Sequence, residues 1–145
     1  MPSQATSADA QLILQLYDLR REAEMRKARS WFAATFSPTS VDDIIKLIGS
    51  PAQESAWFRQ VLGYWEMATA LVAHGTLNED LFFDTSGEMW FMLGKIYPFL
   101  QEYRDKMKSP NLLKNLEDLA TKTEAGRSRL QAMLKMHEAR RNATA

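Results

Sequence analysis

The stretch PAQESAWFRQVLGYWEMATALVAHG, residues 51–75, decides the fold class. Trp57, Phe58, Val61, Leu62, Tyr64, Trp65, Ala68, Leu71 and Val72 recur at steps of three and four and cover most of a helix circumference. A helix that is apolar nearly all round is buried, so 51–74 reads as the central helix. Arg59, Gly63, Glu66 and Ala70 form the thin remaining strip. Gly63 costs up to ~1 kcal/mol of helix propensity against Ala, and its expected use is the close approach of a second helix. Gly75 is placed to end the helix in the left-handed region.

Helical periodicity continues on both sides. Leu12, Leu16, Leu19 and Ala23, then Ala28, Trp31 and Phe32, predict a first helix from Ala8 to Phe36, crossed by the charged run Arg20 to Arg29. At 1.5 Å per residue it would reach about 43 Å. That exceeds a compact body of this size, so the helix must bend or project. Short helices are expected at 41–48 and 79–84, the second capped by Asn78. A longer helix is expected at 88–108, kinked where Pro98 clashes with the carbonyl of Gly94. Two more follow at 110–120 and 122–141.

Ser37-Pro38, Ser50-Pro51 and Ser109-Pro110 read as helix starts. Ser40 with Asp43, Ser50 with Gln53, Thr85 with Glu88, and Thr121 with Glu124 have capping-box spacing. No segment alternates with period two, and no Asn-Gly or Asp-Gly turn occurs. The fold class is therefore all-α: one irregular bundle of five to seven helices over 8–141, with disordered ends at 1–7 and 142–145.

Composition narrows the function. In 145 residues, 18 basic side chains balance 18 acidic ones, which disfavours general affinity for nucleic acid or an acidic membrane. The balance is a sum of unlike parts: net +1 over 1–36, −5 over 37–100 and +4 over 101–145. The absence of Cys excludes disulfides and thiolate metal sites. The apolar windows 57–73 and 81–100 carry internal charges, so they read as buried helices rather than bilayer spans. The start has no positively charged segment leading into an apolar one, and the expected compartment is the cytoplasm.

The motifs of familiar chemistry are missing. Neither His74 nor His137 has a Glu three residues before it, as a helical carboxylate metal site requires. The sequence has no Gly-x-Ser-x-Gly elbow and no phosphate-binding Gly-rich loop. No catalytic residue, metal ligand or cofactor is expected. His74, beside Gly75, reads as a helix C-terminal His suited to the dipole. Glu66 stands between Trp65 and Met67 in the most apolar helix, where a carboxylate needs hydrogen bonds or a cation. Arg59, Arg104 and Arg29 are the candidate partners. The candidate ligand set is Tyr64, Glu66, Trp90, Tyr97 and Arg104, a polar group at the base of an aromatic pocket. The candidate contact set is Arg127, Leu130, Met133, Leu134 and His137, a narrow apolar stripe on a basic C-terminal helix.

The run Tyr64-Trp65-Glu66, Ala68, Val72, Gly75, Leu77, Glu79-Asp80-Leu81, then Trp90, Tyr97-Pro98-Phe99 and Arg104, resembles a family of small bacterial helical proteins of unknown function. Members carry an aromatic-Glu helix, a Gly-x-Leu-x-Glu-Asp turn and a Trp…Pro-Phe…Arg helix. Tyr17-Asp18-Leu19-Arg20, Met25-Arg26, Ala28-Arg29 and Trp31 resemble the family's opening segment, so the likeness covers 11–120. It implies an all-α domain and a Glu66–Arg104 pair. The membrane helix that many relatives carry ahead of this region has no counterpart in this sequence.

Three readings of function follow. The first is a non-enzymatic module acting through protein contacts, either with a partner or as a homodimer. It rests on the overlong first helix and the C-terminal stripe. The second is a small-molecule-binding helical domain with an aromatic pocket. The third is an enzyme without a recognisable motif.

Overall fold

The computed structural model describes residues 3–144. In chain order the helices are α1 (Ser7–Arg21), α2 (Ala23–Ala34), α3 (Val41–Ile48), α4 (Gln53–Ala73), α5 (Glu79–Thr85) and α6 (Glu88–Ile96). A 3-10 turn (Tyr97–Phe99) leads to α7 (Leu100–Met107), α8 (Lys114–Ala120) and α9 (Glu124–Ala143). No strand occurs among the described residues. None of these helices is long and apolar enough to cross a membrane.

Helix α4 is the centre. It packs against α2, α3, α6 and α8, burying Phe58, Val61, Leu62, Trp65, Ala68 and Val72. The core continues through Phe32, Ile44, Phe82, Met89, Leu93, Ile96 and Leu116. The outer strip of α4 is exposed at Arg59, Gln60, Gly63 and Met67. Gly75 has φ +76 and follows the cap residue His74, as its placement required.

The long first helix bends. Glu22 leaves the helical region (φ −58, ψ 144), and its carboxylate accepts the amides of Glu24 and Met25, capping α2. The bend falls inside the charged run, and Met25 and Ala28 resume the buried stripe on α2. Arg29 then donates to Arg20 O, satisfying a carbonyl at the end of α1. Helix α1 lies against α2 and α5, which removes the projecting arm.

Pro98 breaks its helix into α6, the 3-10 turn and α7 rather than bending one continuous rod. The expected close approach falls at Gly94 instead of Gly63. A Cβ on Gly94 would lie 3.1 Å from Met133 Cβ and His137 Cδ2 of α9. A Cβ on Gly63 would meet nothing within 4 Å.

The caps differ from the expected boxes. Ser40 accepts the Asp43 amide, but the Asp43 carboxylate turns to the Thr39 amide. Ser50 accepts the Ala52 amide, and α4 starts at Gln53 without a side-chain cap. Thr85 and Thr121 donate back to Leu81 O and Glu117 O. The complete box is Thr6 with Asp9, at the start of α1. Helix α8 starts at Lys114 rather than at Pro110, because Leu113 adopts a left-handed φ of 58.

The expectation of disordered ends at 1–7 and 142–145 falls, at residues 1, 2 and 145, outside the described residues. Within them, Ser3 O accepts from Asn78 Nδ2 at 2.7 Å, Thr6 caps α1, and α9 continues to Ala143.

Candidate functional site

A cavity of about 270 Å³ opens between α4, α7 and the connection from α7 to α8. Phe58, Leu62, Tyr103, Leu112 and Leu113 line it, together with Arg59, Gly63 and Glu66. The last three stand at positions i, i+4 and i+7 of α4, one face of the helix. The side chain that Gly63 lacks would occupy this space. A mid-helix glycine with no packing neighbour is otherwise a pure loss of helix stability.

Two residues hold the outer wall. Glu66 accepts the amides of Leu116 (2.9 Å) and Asn115 (3.3 Å) and the Asn115 side-chain amide (2.9 Å). Its carboxylate therefore caps the start of α8, where unbonded amides and the helix dipole favour an anion. Arg104 is buried. Its Nε donates to Leu112 O at 2.8 Å, and one guanidinium nitrogen pairs with Glu117 at 2.9 Å. The other terminal nitrogen is buried and has no hydrogen-bond partner among the described residues. Glu66 and Arg104 thus take separate partners rather than each other, and both fasten the segment that carries Leu112 and Leu113. Left-handed backbone at a non-glycine costs about 1–2 kcal/mol, so Leu113 depends on such fastening.

Two further polar residues, Arg59 and Tyr103, line the cavity. Arg59 donates to Ile48 O and to Ser55 Oγ, each at 2.7 Å, which fixes its guanidinium at the end of α3. Tyr103 is 6 % exposed, and its ring meets Phe58 edge-on. Burial raises its phenol pKa, while the charge of Arg59 acts in the opposite direction.

The other members of the expected ligand set serve elsewhere. The Tyr64 hydroxyl donates to Leu16 O at 2.8 Å, tying α4 to α1. Trp90 donates from Nε1 to Ala120 O and lies under the Arg129 guanidinium, 4.1 Å from its ring centroid. Tyr97 is half-buried against the core in the 3-10 turn.

The expected contact stripe of α9 packs inward. Leu130 and His137 are buried, and Met133 and Leu134 are partly buried against the core. The Nε2–H of His137 donates to Phe91 O at 2.9 Å. Burial lowers the pKa of His137, and Lys95, Arg140 and Arg141 lower it further against the opposing Phe91 bond. Arg127 donates to Thr121 O and Lys122 O just beyond α8.

Lys95 was missed by sequence reasoning. Its ammonium donates to Phe32 O, Ala33 O and Phe36 O at 2.7–2.8 Å, closing the end of α2 from α6. Burial and Arg140 lower its pKa to about 8. The signal available was a lone Lys inside the apolar window 88–100. Nothing in that window pointed to the end of a helix distant in sequence.

Among the described residues, no three His, Asp or Glu side chains stand close enough to share a metal ion. The lining combines apolar walls with the Arg59 guanidinium, the Glu66 carboxylate and the Tyr103 phenol. Neither a curated protein nor a solved structure matches the chain. A family model matches residues 5–123, ending one residue before α9. The chain therefore belongs to the family described as the domain of unknown function DUF4760.

Proposed function

We propose that this protein is a non-enzymatic, cytoplasmic helical domain that binds a small molecule in the cavity beside Gly63. The observation that carries this reading is the open space beside Gly63, an exposed mid-helix glycine that lines the cavity at a cost in helix propensity. The left-handed Leu113 on the opposite wall supports it, since backbone strain collects at ligand sites. The test is a ligand-observed NMR screen of one-ring fragments against the wild type and Gly63→Leu. Fragments that bind the wild type and lose binding to an equally stable variant support the reading. Fragments that bind both alike, or neither, count against it.

A second reading, protein contacts or self-association, rests on α1. Leu14, Tyr17 and Leu19 are 65 %, 49 % and 52 % exposed. The projecting arm and the free C-terminal stripe that first suggested it are both folded onto the body. Sedimentation equilibrium of the wild type and of Leu14→Glu/Leu19→Glu tests it. Association that the double variant abolishes supports this reading, and a monomer at every concentration removes the homodimer.

A further inference from the structure

The polar groups at the cavity define what it can hold. A guanidinium has five N–H donors in a rigid fork that matches a carboxylate. Arg59 has a 2.7 Å bond from each of its two terminal nitrogens, to Ser55 Oγ and Ile48 O, so it is oriented with donors to spare. Tyr103 lines the same cavity, and its hydroxyl makes no hydrogen bond among the described residues. Glu66, the anion of the lining, stands roughly 10 Å along α4 from Arg59 at 1.5 Å per residue. Its charge is taken up by the Asn115 and Leu116 amides, so it repels an incoming anion far less than a free carboxylate would. The remaining walls are Phe58, Leu62, Leu112 and Leu113. A volume of about 270 Å³ lies just below the usual range of ligand pockets and suits an apolar body of about one ring.

The geometry points to a small monocarboxylate with a ring-sized apolar body, its carboxylate held by Arg59 and Tyr103 and its body against Phe58, Leu62 and Leu113. The inference rests on the cavity being a ligand site and adds the class of ligand.

Isothermal titration of the full chain with phenylacetate and with phenylacetamide tests it. The two probes share a body and differ in charge. Phenylacetate is expected to bind roughly tenfold or more tightly than the amide, the worth of a charge-assisted hydrogen bond. Arg59→Gln is expected to erase that preference. Because Arg59 also closes α3, Tyr103→Phe serves as the gentler variant, with an expected loss of about fivefold for the acid and little change for the amide. Equal affinity for acid and amide overturns the carboxylate assignment and leaves the cavity as a site for neutral ligands. Binding of neither probe overturns both.

Discussion

Glu66 and Arg104 meet the same connection from two sides without touching each other's charge. Glu66 accepts the Leu116 amide at 2.9 Å, and Arg104 donates to Leu112 O at 2.8 Å. Between these two points the chain passes through Leu113, with its left-handed backbone. The cavity wall is thus held by a capping carboxylate and a buried guanidinium.

The partner assignment has an energetic consequence. Glu66→Gln keeps the shape but removes the charge at the start of α8, and should cost about 1–2 kcal/mol. In double-mutant cycles by urea denaturation, Arg104 should couple to Glu117 by about 1 kcal/mol or more and to Glu66 by less than half of that. A stronger coupling of Arg104 to Glu66 would restore the direct ion pair.

Lys95 should be structural and costly to lose. Lys95→Met leaves three carbonyls at the end of α2 without their donor. Removing a buried ammonium offsets part of this, and the net loss should be about 2 kcal/mol in chemical denaturation. Unchanged stability would mean that water satisfies those carbonyls.

The two helix glycines of opposite surroundings should respond with opposite signs. Gly63→Ala enters open space and should stabilise the protein by up to about 1 kcal/mol. Gly94→Ala pushes against Met133 and His137 and should destabilise it by about 1–3 kcal/mol. Thermal melting of the pair reads the difference.

His137 sets a pH dependence. Its folded pKa lies below 6.5, the ordinary value, so over that interval the unfolded chain binds the proton that the folded chain refuses. Stability therefore falls as pH drops through 6.5 towards the folded pKa and is flat above it. Urea midpoints at about pH 7.5 and about pH 5.5 should differ more for the wild type than for His137→Gln. Equal slopes in the two proteins would assign the acid sensitivity elsewhere.

The helices themselves were legible because their stripes follow one period. Asn78, Pro98 and Gly75 act where their chemistry places them. What stayed hidden are contacts between elements far apart in sequence. Glu66 reads as an isolated acid until α8 is folded against α4, some 50 residues later. Lys95 reads as an interruption until α2 ends beside it. Gly63 and Gly94 look alike in sequence, since both sit in apolar helices, and only the path of α9 tells them apart. Glu66 was the one member of the expected ligand set that lines the cavity. Arg59, expected as a candidate partner of Glu66, lines the cavity with it but bonds to Ser55 and Ile48.

The most direct test of the cavity as a ligand site is a methyl NMR titration of the wild type and Gly63→Leu with phenylacetate. Saturable shifts confined to Leu62, Leu112 and Leu113 in the wild type, and absent from an equally stable variant, are the expected result. Shifts that persist in the variant, or no saturable shift in either protein, would contradict it.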